Sequence, residues 1–251
     1  MRTRYISIIP AILCLAQFAL AQTDTFTITG ANPNGYYLGN NPAVYVDPYT
    51  ATIKNGAKTI YGPSGLVICD DFTDDVTVPE TWNVEASTVT SSGAADGLFE
   101  GVTSYSLGIV PVYSGAQGYN MVAYLASQLM TQYNNQVDSD ALSYAIWTIF
   151  TPAAYSNIAG DMVNGVSIQT AVKADIIAAY DNTSGGTDYS GPTVTVWRPT
   201  SWTGDPSRPQ EFLTVQTPEA SALASLAVDF TVVLGVLFVL RRHILRGRRA
   251  T

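Results

Sequence analysis

Histidine is nearly missing from this chain of 251 residues: His243, close to the C-terminus, is the only one. Everything before it therefore lacks a Ser-His-Asp triad, a Cys-His pair and an imidazole for a zinc site. Cysteine is almost as scarce. Only Cys14 and Cys69 occur, and Cys14 lies in an N-terminal segment with the marks of a removable leader. The mature chain then holds one thiol and no intramolecular disulfide, and its stability must come from an apolar core. Basic residues are sparse through the middle. Between 22 and 217 stand Lys54, Lys58, Lys173, Arg198 and Arg208, against every acid of the chain except Glu219 and Asp229, a formal charge of about −13. Such a surface repels phosphate backbones and excludes nucleic acid as a partner. It suits solubility, cation binding or contact with neutral or basic polysaccharide.

The two ends carry the clearest signals. Arg2 and Arg4 precede an apolar stretch, Tyr5 to Leu15, that is too short to span a bilayer, and Ala19-Leu20-Ala21 supplies a small-x-small cleavage site. Residues 1–21 thus read as a signal peptide, with the mature chain starting at Gln22. At the other end, about 21 residues from Ala220 to Leu240 are apolar apart from Asp229. At about 1.5 Å per residue a helix of that length matches a hydrocarbon core of about 30 Å. Arg241, Arg242, Arg246, Arg248 and Arg249 follow directly, a stop-transfer pattern that keeps the tail inside and the acidic region outside. Asp229, in mid-span, is expected to be protonated in the bilayer.

Thr217-Pro218-Glu219-Ala220, the apolar helix and the arginine run together resemble the PEP-CTERM sorting signal of bacterial exported proteins, with Ala220 in place of the usual second proline. The resemblance covers about the last 35 residues. It implies a sorting motif at Thr217, Pro218, Glu219 and Ala220, an exosortase-type processing enzyme as partner, and a membrane precursor that is released or re-anchored at the cell surface.

Between these signals the chain is expected to form an α+β domain over 22–198, followed by a linker at 199–217. Strands are predicted at 25–29, 36–38, 43–46, 49–54, 58–61, 66–72 and 81–90, where Thr, Val, Ile and Tyr alternate with Gly, Asn and Pro. Asn55-Gly56 and Gly62-Pro63-Ser64-Gly65 read as hairpin turns. Amphipathic periodicity then predicts helices over 118–133, from an N-cap at Asp138-Ser139-Asp140 through Phe150 with Pro152 as its stop, and from near Ser167 with Ile168, Ala171, Val172, Ile176 and Ala179 on one side. Strands return at 193–197 and 212–215. The expected architecture is an N-terminal antiparallel barrel or sandwich with an inserted helical subdomain, closing strands and one C-terminal transmembrane helix.

Within the domain, Asp70, Asp71, Asp74 and Asp75 place four acids within six positions. Oxygen ligands so clustered suit calcium, but the spacing is not that of an EF-hand, and a solvated acidic loop is the plainer explanation. The metal assignment stays open. Strand alternation puts Cys69 and Asp71 on one face and Ile68 with Asp70 on the other. With acids adjacent and no histidine nearby, Cys69 reads as a small buried hydrophobe.

Cys69 in its strand and Ser143-Tyr144-Ala145-Ile146-Trp147 on the second helix are similar to the thioester domains of bacterial surface adhesins, in which a strand cysteine bonds to a glutamine. Ser143 stands where the resemblance places that glutamine, and serine has no amide carbon. The resemblance therefore implies the scaffold without the bond, with Ile146 and Trp147 as core. Trp82, Trp197 and Trp202 fall where a sugar ring could stack, although packing explains such aromatics as well.

The function expected from all this is that of a non-catalytic surface or matrix protein with no cofactor, whose candidate partners are the exosortase-type processing enzyme, the membrane and exopolysaccharide. One alternative is a carbohydrate-active enzyme using Glu80, Glu85 or Glu100 with an aspartate as paired carboxylates. Another is a calcium-stabilised adhesion module.

Overall fold

The computed structural model describes residues 23–31, 36–39, 43–73, 76–201 and 209–216. The expected signal peptide over 1–21, Asp74, Asp75, Trp202 and Arg208 lie outside these residues. So do the expected sorting motif Thr217 to Ala220, the expected span 220–240 and the arginines Arg241, Arg242, Arg246, Arg248 and Arg249. Among the described residues no helix is long and apolar enough to cross a membrane.

Six antiparallel strands close into a barrel: β1 (Asp24–Ala31), β4 (Tyr49–Asn55), β5 (Lys58–Cys69), β10 (Phe212–Gln216), β9 (Thr193–Ser201) and β6 (Glu80–Thr88), in that order around the wall. Of the two β architectures open from the sequence, the barrel is the one formed. A hairpin of β2 (Tyr36–Leu38) and β3 (Val44–Val46) lies against the helical layer. That layer contains α1 (Gly115–Gln132), α2 (Gln136–Phe150), α3 (Pro152–Asn157) and α4 (Ile168–Asn182), with a second hairpin of β7 (Met162–Val163) and β8 (Val166–Ser167).

Period-two alternation sorts the strand residues between two cores. Phe26, Ile28, Ala51, Ile53, Val67, Cys69, Trp82, Val84, Trp197 and Phe212 fill the barrel. Their neighbours Ile68, Val194, Val196, Leu213 and Val215 face the other way, onto the helices. The barrel interior is strongly aromatic: Phe26 stacks on Trp82 and on Phe212 at 5.0 and 5.1 Å. Trp82 and Trp197 therefore serve as core. The Trp197 indole N–H is satisfied there by the Thr214 hydroxyl at 2.9 Å.

Several local expectations change. Residues 62–65 form no hairpin turn; β5 runs through them as one strand of 12 residues, with register shifts against β4. Tyr61 closes over this irregular stretch by donating to the Leu66 carbonyl at 2.6 Å. At the β4–β5 turn the loop residues are Gly56 and Ala57, since Asn55 pairs with Lys58, and of the two only Gly56 takes positive φ. The second helix begins earlier than expected: Asn135 caps it by accepting from the Val137 amide, which leaves Asp138 in its first turn. The folded domain also extends past residue 198. β9 continues to Ser201, and β10, inside the stretch read as a linker, supplies the staves that close the barrel between β5 and β9.

Candidate functional site

β5 and β10 pair with Cys69 opposite Phe212. Continuing that register toward the strand ends sets Asp70 across from Glu211 and Asp71 across from Gln210. Two polar clusters result, one on each face of the wall.

The cluster on the helix side is a buried carboxyl pair. Asp70 and Glu211 have no solvent exposure. Glu211 accepts from the Tyr119 hydroxyl at 2.5 Å and from the Leu98 amide at 2.8 Å. Asp70 has no N–H or hydroxyl partner on either oxygen; its partner is the Glu211 carboxyl itself. Two carboxyls can share such a contact only with a proton between them. Burial, then the Glu211 charge, holds Asp70 well above the ordinary carboxylate range. The two groups are thus in direct contact rather than the 5–10 Å or so apart that a glycosidase pair requires.

The cluster on the barrel side holds the thiol. The Cys69 Sγ–H donates to the Asp71 backbone carbonyl at 3.0 Å. The Gln210 side-chain amide donates to the same oxygen at 3.2 Å. A thiol and a carboxamide, brought from strands far apart in sequence, therefore converge on one acceptor, with both residues buried. From the helical layer the Trp147 indole N–H donates to the Cys69 carbonyl at 2.9 Å, and Phe72 packs against Trp147 and Tyr144. Burial pushes the Cys69 thiol well up, and the Asp71 and Asp70 charges push the same way.

A cavity of about 410 Å³ adjoins this cluster, lined by Cys69, Asp71, Trp147 and Gln210 together with Tyr37, Tyr45 and Tyr49. Tyr37 is 74% exposed, so the cavity reaches the surface. The Asp71 carboxylate is wholly buried; its Oδ1 accepts from the Thr73 amide and hydroxyl at 2.9 and 2.8 Å, while Oδ2 has no partner.

The candidate residues read from the sequence distribute as follows. Asp70 and Asp71 point to opposite faces of the wall and so do not act as one ligand cluster; no group of three or more His, Cys, Asp or Glu side chains suited to a metal ion occurs among the described residues. Glu80 accepts from the Thr77 amide, Glu85 pairs with Arg198 at 2.8 Å on the surface, and Glu100 accepts from the Ala94 amide. None of the three lines the cavity. Ser143 is buried on α2. The residue that sequence reasoning missed is Gln210. Its signal, a glutamine beside a strand that pairs with the cysteine strand, becomes visible only once that pairing is known.

No protein-family model, curated protein or solved structure matches this chain.

Proposed function

We propose that this chain is an exported surface protein, sorted through its C-terminal PEP-CTERM-like signal, whose acidic domain attaches covalently to its surroundings through a thioester between Cys69 and Gln210. The observation that carries the reading is the shared acceptor. Sγ of Cys69 and Nε2 of Gln210 both donate to the Asp71 carbonyl, so the two side chains cannot be farther apart than those bonds together allow.

The bond exchange needs no co-reactant. Attack of Sγ on the Gln210 amide carbon forms an S–C bond, the C–N bond breaks, and the thiol proton leaves with the nitrogen as ammonia. Burial shields the product from water, and the cavity admits a nucleophile. An amine or hydroxyl that attacks the thioester becomes bonded to Gln210 and releases the Cys69 thiol. The exchange occurs once per molecule, so the protein is a covalent adhesion module rather than an enzyme. Matrix polysaccharide or protein outside the cell supplies such groups. The resemblance to thioester domains supports the reading through Cys69 and Trp147, with Gln210 rather than the Ser143 position providing the amide.

Intact mass tests the proposal. The mature protein should weigh one ammonia less than its sequence, and its thiol should be untitratable even after unfolding. Gln22, as a new N-terminus, can itself cyclise with loss of ammonia, so the comparison must include Cys69→Ser and Gln210→Ala. Both variants should lack the loss that maps to the Cys69 peptide. Incubation with methylamine should add one methylamine to the wild type and expose the thiol. A wild-type chain with a free thiol and an intact Gln210 amide would overturn the reading.

A further inference from the structure

We infer that the Asp71 carboxylate is the proton carrier of the Cys69–Gln210 site, taking the thiol proton through Oδ2 and handing it to the departing nitrogen. The inference rests on the thioester reading and deepens it.

Three observations lead here. Asp71 follows Cys69 by two positions and lines the same cavity, as strand alternation requires. Its carboxylate is divided in use: Thr73 holds Oδ1 with two hydrogen bonds, fixing the group, whereas Oδ2 is buried without a partner. A buried polar atom without a partner is costly, and a recurring reason for one is a role in chemistry. Finally, the backbone carbonyl of the same residue already gathers both reacting side chains.

The alternatives are few. Histidine, the usual base for such a transfer, occurs only at His243. Asp70 and Glu211 face the helices, engaged with each other, Tyr119 and Leu98. Glu80, Glu85 and Glu100 are not at the cavity. A base is also needed, because burial and the adjacent acids hold the thiol in its protonated form.

The step balances without a co-reactant. The proton moves from Sγ to Asp71 Oδ2 as the S–C bond forms; the collapsing adduct breaks its C–N bond while Asp71 returns the proton to Nε2, and ammonia leaves. When an outside amine or hydroxyl attacks the finished thioester, the same carboxylate accepts its proton and supplies one to the leaving sulfur.

The test follows ammonia loss by mass after refolding the full mature chain from denaturant, in wild type, Asp71→Asn and Asp71→Ala. Asparagine keeps the oxygen that Thr73 binds but cannot carry a proton. Closure in Asp71→Asn should slow by about 100-fold or more, the range of a positioned acid–base group, with near-ultraviolet circular dichroism and melting unchanged. Formate, small enough for the cavity left in Asp71→Ala, should restore closure in proportion to its concentration, which a purely structural role would not allow. Closure of Asp71→Asn at the wild-type rate would overturn the inference and leave the thioester standing. A wild type that never loses ammonia from the Cys69 peptide would overturn both.

Discussion

Asp140 illustrates how a single side chain can set the pH response of the fold. It sits on α2 without solvent exposure, and neither carboxyl oxygen has a partner. Burial, with Asp47 adding to it, pushes its pKa up to about 7, from about 3.9 in an unfolded chain. A carboxyl raised in the folded state stabilises the fold fully below the unfolded value and loses that contribution as pH rises through the folded one. Unfolding free energy should therefore fall between about pH 4 and 7 and level off above. Asp140→Asn removes the titration, so its advantage over wild type should grow across that window to about 4 kcal/mol at pH 8. Denaturant melts at pH 4, 6 and 8 check this; a constant difference would refute it. At this scale the burial of Cys69 was legible, because a small thiol in a Val-Ile-Cys run has few other places to go. The fate of Asp70 was not, since its partner, Glu211, is supplied by another strand.

Elements were legible where their signals are local. Helix α4 starts from Ser167, whose hydroxyl accepts from the Thr170 amide, and buries Ile168, Val172, Ile176 and Ala179 at helical spacing, as the periodicity requires. The hairpin β7–β8 carried a comparable signal that was overlooked: Asn164-Gly165, both at positive φ, forms its turn. The start of α1 was harder, because packing rather than propensity fixes it. Ser114 and Gln117 form a capping box, and Gly115 sits so close to the backbone of Phe99 that a methyl group there would overlap its carbonyl oxygen. Helix propensity alone makes Gly115→Ala stabilising by up to about 1 kcal/mol. The overlap should reverse the sign, costing about 1–3 kcal/mol and lowering the melting temperature by several degrees. An unchanged or higher melting temperature would show that the α1 start and the Phe99 loop are not packed this way.

For the whole molecule, closure of the barrel and formation of the site are one event. β10 completes the wall between β5 and β9, and in doing so brings Gln210 to Cys69 and Glu211 to Asp70. An unfolded or half-closed chain has no site, so Cys69 and Gln210 meet only in the folded protein. The proposed sorting also belongs to this scale. Protein recovered from its native envelope should begin at Gln22 and end near Pro218, as intact mass and cell fractionation would report. A mature chain still carrying 220–251 would make it a single-pass membrane protein instead, and the sorting proposal would fall.

Composition and local order by themselves determined the negative charge, the confinement of histidine to position 243, the scarcity of cysteine, and the existence of most strands and helices. These follow from residue identities and from periods of two and 3.6, which a linear reading can see. Only the tertiary structure decided that the strands close into a barrel, that Asp70 meets Glu211, and that Gln210 meets Cys69. Each of those depends on the pairing of β5 with β10, set by the fit of Phe212 into the aromatic barrel core and of Leu213 against the helices. That register is a property of packing between segments distant along the chain.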